Sequence, residues 1–381
     1  MSGVGTASSR ERDRRHLAAA ARLAQRGHGG AEPNPMVGCL LVSTDERVVG
    51  WGLHRRCGEA HAERMALAAA GAAARDATAY VTLQPCNGVG RTGPCTVALI
   101  EAGVRRVVYG VSDPHPKAEG GVERLRRAGI AVEQVPCPEA AAVSAPFIHT
   151  VRTGQPWVVA KWAQSLDGRI ATERGESQWI SSERSRRLVH RERGRIDAIV
   201  TGIGTVLADD PMLTARGVRR RRRALRVVID PEGRTPPTSA LARSAGEAPL
   251  LVACRETVAA DPTRSAALRA LGVEFVGLGD DGRAASDAIA LRPLLRRLAA
   301  ERDVSTLLVE AGPRLLGAFF RQGLVNEALV FVAPILLGDR GRPSVAGVSP
   351  ERLGDAIRLE VMDQRLRGGD LVVRLRQPTG G

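Results

Sequence analysis

Two series of short apolar runs, each alternating with helix-like stretches, most constrain the fold of this 381-residue chain. The first series contains VGCLLV, VVGWG and AYVTL, and the second contains WVVAKWA, DAIVTG, LRVVID, PLLVAC, VEFVGL and TLLVE. Strands that alternate with helices favour layered α/β domains with largely parallel sheets. The stretch APFIHTVRTGQP at 145–156 lacks clear periodicity and is interpreted as a connector. The sequence therefore predicts two α/β domains, residues 1–148 and 149–381.

Elements within these domains follow from the same pattern. A polar turn at Thr44–Glu46 joins the first two strands into a hairpin. Two further strands are predicted in the tail, ALVFVAPIL and LVVRLR. Helices are predicted at residues 11–26, 61–74, 182–193, 263–270, 288–300 and 313–322.

Charge and composition limit the classes of partner without identifying one. The formal net charge is +14, and one run of five arginines, Arg219–Arg223, adds much of the excess in the second half. We interpret this arginine run as a solvated surface loop, with phosphate or nucleic-acid contact as the alternative. Aromatic residues make up only 3% of the chain, which disfavours a base-stacking platform. We therefore expect no nucleic-acid partner.

Cysteine usage and the start of the chain indicate the compartment. Six cysteines are too few for a disulfide scaffold of this length, so they are expected to be thiols or metal ligands. The N-terminus is polar and charged, and no apolar stretch resembles a membrane span. We expect a cytoplasmic protein with no membrane partner.

The motif HAE at 61–63, followed by two Pro-Cys pairs, has the donor types of a catalytic zinc site. Three protein ligands leave the fourth position of zinc open to water, whose pKa the metal lowers to ~7. Glu63 would not ligate but would carry protons to the substrate and the leaving amine. A structural zinc with His54 or Cys57 as a fourth ligand is the alternative. The predicted ligands are His61, Cys86 and Cys95.

These motifs resemble the cytidine-deaminase superfamily. The spacing C-x8-C, the segment GRTGPC and PNPMVG near the start are more similar to the deaminase half of the bifunctional riboflavin-biosynthesis deaminase-reductases of the RibD type. The resemblance implies an α/β/α layer domain and a pyrimidine substrate carrying a ribose phosphate. It also implies that Asn34 and His54 hold the pyrimidine and that Arg91 lies near the sugar phosphate.

The first half departs from that family pattern at several positions. Gln84 stands where the family usually has Glu, Gly88 and Val89 stand where a His commonly lies, and His115 replaces an Asn. Glu119 lies in a loop that is usually built from small residues. No departure removes a zinc ligand or Glu63, but Gly88 removes a substrate contact. A reductase with a degenerate or re-purposed deaminase half is therefore an alternative.

The second half contains a strand that ends at Glu310 and a helix that opens at Gly312-Pro313. Gly permits close approach of a ligand, Pro suits the first helical position, and free N–H groups there bind phosphates. A tight turn without a ligand explains this motif equally well. SLDGR, GESQWIS, GTVLADDPMLTAR and VEAGPRLLGAF together resemble the reductase half of the same family, in order and spacing. That resemblance implies a dihydrofolate-reductase-like α/β fold that uses NADPH.

The resemblance also implies roles for individual residues of the second half. Asp209 is the candidate acid and a cofactor contact, and Lys161 is a second candidate for proton transfer. The implied substrate positions are Ser177, Arg193, Leu213, Arg216 and Glu310. The implied NADPH positions are Ala163, Trp179, Thr205, Asp209, Gly312, Pro313, Arg314, Leu315, Leu316, Gly317 and Ala318.

Together these observations predict a bifunctional enzyme of riboflavin biosynthesis that uses Zn²⁺ and NADPH. Its partner would be a small phosphorylated pyrimidine, and a homo-oligomer is expected. Two other classes remain as alternatives. A nucleic-acid deaminase would explain the basic charge but not the motifs of the second half, and a non-catalytic nucleotide-binding regulator would bind ligand without turnover.

Overall fold

The structure, a computed structural model, describes residues 4–88, 93–279 and 290–378. It divides into two compact units, Met1–Gly154 and Gln155–Gly381. In the part of the chain that the structure describes, every helix is too short or too polar to span a membrane.

The first unit is built on a five-stranded sheet in the order β2-β1-β3-β4-β5. Strand β1 is antiparallel to β2 and β3, whereas β3, β4 and β5 are parallel. The predicted hairpin is confirmed as β1 and β2. The elements are α1 (Val4–Ala24), β1 (Gly38–Val42), β2 (Val48–Leu53), α2 (Ala62–Ala70), β3 (Thr78–Leu83), α3 (Cys95–Glu101), β4 (Arg106–Val111), α4 (Gly121–Arg127), β5 (Ala131–Gln134) and α5 (Pro138–Thr153).

Apolar residues of this sheet face two separate helical layers. In β1, Cys39 and Leu41 join the core under α2, α3 and α4, and Leu40 and Val42 join the core under α1 and α5. Successive side chains of a strand point to opposite faces, so a continuous apolar run becomes a strand buried on both sides. The unit is an α/β/α sandwich.

Glycines in β2 allow α2 to lie unusually close to the sheet. A Cβ atom on Gly52 would lie 2.2 Å from the carbonyl oxygen of Ala62, and one on Gly50 would lie 2.4 Å from that of Ala66. Any side chain at either position would displace the helix backbone. This contact fixes the start of α2, where HAE is located.

The second unit is built on a nine-stranded sheet in the order β11-β10-β9-β8-β12-β6-β13-β16-β15. The strands from β11 to β13 are parallel, and β16 and β15 continue the sheet as an antiparallel hairpin. Strands β7 and β14 form a separate pair. The elements are β6 (Trp157–Ser165), β7 (Arg169–Ala171), α6 (Glu183–Arg193), β8 (Ala198–Gly202), α7 (Ile203–Asp209), β9 (Leu225–Ile229), α8 (Ala240–Arg243), β10 (Leu250–Arg255), α9 (Glu256–Ala259), α10 (Pro262–Ala270), β11 (Glu274–Leu278), α11 (Leu291–Arg302), β12 (Thr306–Val309), α12 (Pro313–Arg321), β13 (Glu327–Ala333), β14 (Arg342–Pro343), β15 (Glu360–Arg367) and β16 (Asp370–Arg376).

The structure contains several short elements that the sequence did not predict, and two larger differences have a clear cause. The stretch 145–156, expected as a connector, is helical up to Thr153, since α5 continues through Pro146 and ends at Gly154. The boundary predicted after residue 148 therefore falls inside a helix. Strand β15 has no counterpart in the prediction, because its side chains are almost all exposed and the apolar alternation that marks a half-buried strand is absent.

We expect Gly52→Ala to destabilise the first unit by about 2 kcal/mol, because the new methyl group would push α2 from β2. Chemical denaturation followed by circular dichroism measures the change. Gly246→Ala is the matched control, since a Cβ atom there meets nothing within 4 Å. Equal stability of the two variants would show that the contact between α2 and β2 tolerates the added group.

Candidate metal centre and reductase site

The three predicted zinc ligands come from separate elements and meet at one place. His61 is the N-cap residue of α2, and Cys95 is the first residue of α3, directly after Pro94. Cys86 lies in the irregular segment that follows β3. Their three ligand atoms all lie within 4.8 Å of one another.

The distances between these atoms fit a tetrahedral zinc ion. His61 Nδ1 lies 3.5 Å from Cys86 Sγ and 3.3 Å from Cys95 Sγ. Zinc bonds of about 2.1 Å to nitrogen and 2.3 Å to sulfur, at tetrahedral angles, place the donor atoms about 3.6 Å apart. The residues present therefore fit a zinc ion held by one imidazole and two thiolates.

Hydrogen bonding shifts the pKa values of the two ligand thiols in opposite directions. The hydrogen bond from the Cys95 thiol lowers the pKa of Cys86 to about 4, with His61 acting in the same direction. That same hydrogen bond and burial raise the pKa of Cys95. Glu63 is 4% exposed, and burial, followed by the negative charge at Cys86, raises its pKa to about 7. A carboxyl group is thus buried beside the ligand cluster without belonging to it.

The fourth-ligand alternative is not supported by the position of His54. Both ring nitrogens of His54 are engaged, since Nδ1 donates to the carbonyl oxygen of Ala60 and Nε2 accepts from the Asn34 amide, each at 3.2 Å. Cys57 is exposed. Among the described residues, the cluster able to hold a metal contains His61, Cys86 and Cys95 alone. The pair Asn34–His54 lies beside it, with the ring centroids of His54 and His61 5.3 Å apart.

The described positions that depart from the family pattern meet at one segment, residues 115–119. Gln84 Nε2 donates to the carbonyl oxygen of Ala118 at 3.0 Å, a bond that an ionised Glu could not donate. The backbone N–H of Gly88 donates to the carbonyl oxygen of Lys117 at 2.6 Å. His115 and Glu119 lie at the two ends of that same loop segment. Val89 and Arg91 are outside the described residues.

In the second unit, a buried carboxylate joins residues from three elements. Arg193, at the end of α6, donates to Glu310 from Nε at 2.6 Å and from Nη2 at 2.9 Å. Lys161 of β6 donates to Glu310 Oε2 at 3.4 Å. The remaining nitrogen of Arg193, Nη1, lies 3.4 Å from the carbonyl oxygen of Thr214. Three predicted site residues therefore form one ionic cluster.

The cations of this cluster keep Glu310 ionised. Burial alone would raise the pKa of Glu310, but the facing charges of Arg193 and Lys161 lower it to about 2. Burial would likewise lower the pKa of Arg193, and Glu310 reverses the shift. The cluster contributes a fixed negative charge between two positive groups.

The turn predicted to hold NADPH is well defined. The backbone N–H of Gly312 donates to Thr205 Oγ1 at 3.2 Å, and Pro313 begins α12. The N–H groups of Arg314 and Leu315 precede the first intrahelical hydrogen bond, so they are available to a phosphate.

Three residues farther along α12 have a structural explanation instead. Leu316 and Ala318 pack in the hydrophobic core. A Cβ atom on Gly317 would lie 1.8 Å from the carbonyl oxygen of Ala346, so this glycine permits a close backbone contact. Their roles in cofactor binding stay predictions.

The other predicted positions of the second unit differ in their exposure. Asp209 ends α7; desolvation raises its pKa and Arg342 opposes the shift. Trp179 is 67% exposed, and the guanidinium of Arg186 lies 4.6 Å from its ring centroid. Leu213 is buried at a backbone φ of 51°. Ser177 and Arg216 make no side-chain hydrogen bond within the described ranges, and Ala163 lies on β6, paired with Phe331.

Sequence reasoning missed Arg226, a fully buried residue of β9. Its guanidinium donates to the carbonyl oxygens of Met212, Ser244 and Ala248, and burial lowers its pKa to about 10. Met212 directly precedes Leu213, so Arg226 holds the loop that carries the predicted substrate residues. The signal was an arginine inside the apolar run LRVVID.

Comparisons with known proteins agree with this geometry. Residues 10–111 match the family model for the cytidine and deoxycytidylate deaminase zinc-binding region, and residues 156–373 match the RibD C-terminal domain. The riboflavin biosynthesis protein RibD of Escherichia coli is 39% identical over 377 residues, covering 95% of this chain and 99% of the relative. The chain belongs to the RibD family.

Other RibD proteins match over nearly the whole chain. RibD of Aquifex aeolicus is 36% identical over 366 residues, covering 96% of this chain and 98% of its own. A solved structure of Acinetobacter baumannii RibD has a TM-score of 0.82 at 35% identity, covering 97% of this chain and all of that chain. A Thermotoga maritima structure, titled as a diaminohydroxyphosphoribosylaminopyrimidine deaminase/5-amino-6-(5-phosphoribosylamino)uracil reductase, has a TM-score of 0.81 at 31% identity, with coverage of 97% and 100%.

These findings confirm the predicted fold class and general function. As a RibD, the protein is a bifunctional deaminase and reductase of riboflavin biosynthesis, with a zinc-binding first unit and an NADPH-binding second unit. Because both family models match, a reductase with a degenerate deaminase half is not favoured.

We expect the ionic cluster to make the second unit sensitive to acid. The pKa of Glu310 falls from about 4.3 in an unfolded chain to about 2 in the folded one. Its contribution to stability is therefore complete above pH ~4.3 and is lost as the pH falls towards 2. Over that interval the wild type should lose roughly 2 to 3 kcal/mol more than Glu310→Gln, as measured by urea unfolding of the second unit. Parallel pH profiles for the two proteins would contradict the assignment.

Proposed function

We propose that the first unit deaminates 2,5-diamino-6-ribosylamino-4(3H)-pyrimidinone 5′-phosphate. The second unit would then reduce the product, 5-amino-6-(5-phosphoribosylamino)uracil, to its ribityl form. The observation that carries this proposal is the convergence of His61, Cys86 and Cys95 beside the buried carboxyl group of Glu63. The Thermotoga maritima structure whose title gives these two activities aligns over 97% of this chain.

In the deaminase site, zinc supplies activation of water when it is bound by His61, Cys86 and Cys95. Glu63 would take a proton from the attacking water and deliver it to the ring nitrogen. It would then take the proton of the newly added hydroxyl group and deliver it to the amino group, which leaves as ammonia. The carbon–nitrogen bond breaks and a carbonyl group forms.

The polar pair beside the zinc ligands supports a role in orienting the pyrimidine. Because Nε2 of His54 accepts from the Asn34 amide, the two side chains hold each other in position. Burial lowers the pKa of His54, so its ring stays neutral and keeps Nε2 as an acceptor. We propose that this pair contacts the substrate ring and that Arg91 lies near its phosphate.

In the reductase site, NADPH supplies a hydride to C1 of the ribosylamine. The bond from C1 to the ring oxygen breaks, and that oxygen needs a proton. Lys161 is the donor that the structure supports best, because its ammonium group is held by Glu310 in the ionic cluster. Asp209 lies at the end of α7 and is assigned to the cofactor side, together with Thr205, Trp179, Ala163 and the turn at 312–318.

We propose that the substrate lies against Ser177, Leu213 and Arg216, next to the ionic cluster. Leu213 is held by the backbone contact of Arg226 to Met212, which supports a defined shape for this wall. Arg193 and Glu310 would then act as a pair, with the carboxylate accepting from sugar hydroxyl groups.

A two-step assay with the full chain tests both halves. We expect the zinc-loaded wild type to release ammonia from the diaminopyrimidine ribosyl phosphate without NADPH, and to oxidise NADPH once it is added. Glu63→Gln should lower ammonia release at least about 100-fold, because proton transfer by a positioned carboxylate contributes that much.

Controls separate catalysis from folding. Glu63→Gln should retain one zinc per chain by atomic absorption, and should oxidise NADPH normally when given deaminated substrate. Ammonia release at the wild-type rate would exclude Glu63 as the proton carrier. A zinc-loaded wild type that releases no ammonia would show that the first unit acts on another substrate.

We also propose that the protein works in the cytoplasm as a homo-oligomer. All six cysteines are free, and a thiolate metal site suits a reducing compartment. Strand β15 is the edge of the nine-stranded sheet and exposes Val361 (61%), Met362 (43%) and Leu366 (81%). An open edge strand that exposes apolar side chains would invite aggregation, so pairing with a second copy would protect it.

Light scattering after size exclusion measures this self-association. We expect the wild type to elute at a multiple of the chain mass, and Val361→Lys/Leu366→Lys to shift towards the monomer. Leu353→Lys is the control, because Leu353 is 85% exposed but lies outside β15. A monomeric wild type, or equal masses for both variants, would rule out the edge of β15 as the contact.

A further inference from the structure

One cavity of the second unit is rich in arginine. It has a volume of about 440 Å³, within the range of small-molecule sites. Leu213 and Arg216, both predicted substrate residues, line it together with Arg193. Arg220 and Arg223, from the arginine run, line the same cavity. Among the described lining residues Glu247 alone is acidic, so the cavity favours an anion.

Arg193 has little capacity left for an anionic ligand. Two of its nitrogens donate to Glu310 and the third faces the carbonyl oxygen of Thr214. Phosphate recognition by arginine uses two parallel N–H donors from one guanidinium. The positive charge needed for a phosphate in this cavity must therefore come mainly from the other arginines of its wall, Arg216, Arg220 and Arg223.

The arginine run lies in an exposed loop, as the sequence predicts, and this loop is anchored to the fold at Arg222. The side chain of Arg222 forms an ion pair with Asp197, whose carboxylate also accepts hydrogen bonds from Ser305 and Thr306. The backbone N–H groups of Arg221 and Arg222 both donate to the carbonyl oxygen of Gly194.

This anchoring gives neighbouring arginines different environments. Arg222 is directed into the fold, whereas Arg220 and Arg223 line the cavity and make no side-chain hydrogen bond or ion pair in the described part of the chain. Arg219, Arg220 and Arg223 are all exposed, but Arg219 is not part of the cavity wall.

We propose that Arg220 and Arg223 bind the phosphate group of the reductase substrate and determine the preference of this enzyme for a phosphorylated sugar. The inference rests on the proposed reductase reaction. The two guanidinium groups supply the donors that Arg193 has committed to Glu310. The arginine run thus acts as a specificity element of the second active site.

Steady-state kinetics of the full-length enzyme test this inference. We expect Arg220→Ala/Arg223→Ala to raise the KM for the phosphorylated substrate at least about tenfold, because hydrogen bonds to charged groups contribute ~1.5 to 3 kcal/mol each. The kcat should stay within about twofold, since a phosphate contact binds the substrate and the transition state equally. The KM for the unphosphorylated riboside should not change.

Variants of the same run provide the controls. Arg219→Ala also removes one positive charge from the run, but Arg219 lies outside the cavity wall. The KM of this variant for the phosphorylated substrate should therefore match that of the wild type. Arg220→Lys/Arg223→Lys should recover part of the affinity. Equal KM values for the alanine pair and Arg219→Ala, or an equal rise for both substrates, would overturn the inference.

Binding of inorganic phosphate separates this inference from the proposed reaction. Isothermal titration should show weaker phosphate binding for Arg220→Ala/Arg223→Ala than for the wild type and Arg219→Ala. Loss of phosphate binding in Arg220→Ala/Arg223→Ala would support the site, even if the wild type oxidised no NADPH. Absence of NADPH oxidation by the wild type would refute the proposed reaction alone. Unchanged phosphate binding in the alanine pair would refute the site.

Discussion

The second unit depends on one buried carboxylate, Glu310, which stays charged because two cations face it. Glu310 ends the apolar run of β12, where an ionised group would be costly to bury without partners. Arg193 and Lys161 provide those partners from α6 and β6. The same ion pairs therefore fix the relative positions of three elements and supply a polar centre at the carboxyl ends of parallel strands, where ligands of such sheets bind.

The first unit meets the same need for a fixed polar centre by a different constraint. Small residues at Gly50 and Gly52 let α2 contact β2 through its backbone, which determines where His61 and Glu63 are placed. The metal ligands then need no ion pair to be aligned. Side chains that are positioned by close backbone packing tolerate less added volume than side chains that are positioned by ion pairs. For this reason a single added methyl group in β2 is expected to matter.

The parts of the fold that sequence could predict are those set by local pattern. The zinc site could be predicted because HAE and two Pro-Cys pairs mark its donors. The buried strands could be predicted because they are apolar runs in the sequence. Strand β15 and the continuation of α5 could not be predicted, because both depend on tertiary contacts that leave no local periodicity in the sequence. Arg226 was missed for a related reason, since only the folded chain shows which backbone carbonyl oxygens surround it.

The arginine run shows why charge alone did not identify function. Its five side chains look equivalent in sequence, yet Asp197 binds Arg222 while Arg220 and Arg223 line a cavity. The distinction arises from two backbone hydrogen bonds to Gly194, which set the orientation of the run. A cluster of like charges placed in this way would repel itself unless an anion were present or solvent screened it. In the free protein, the repulsion between these arginines raises the free energy of the folded state. A bound phosphate would offset that repulsion, so the repulsion would favour a charged substrate over an uncharged one.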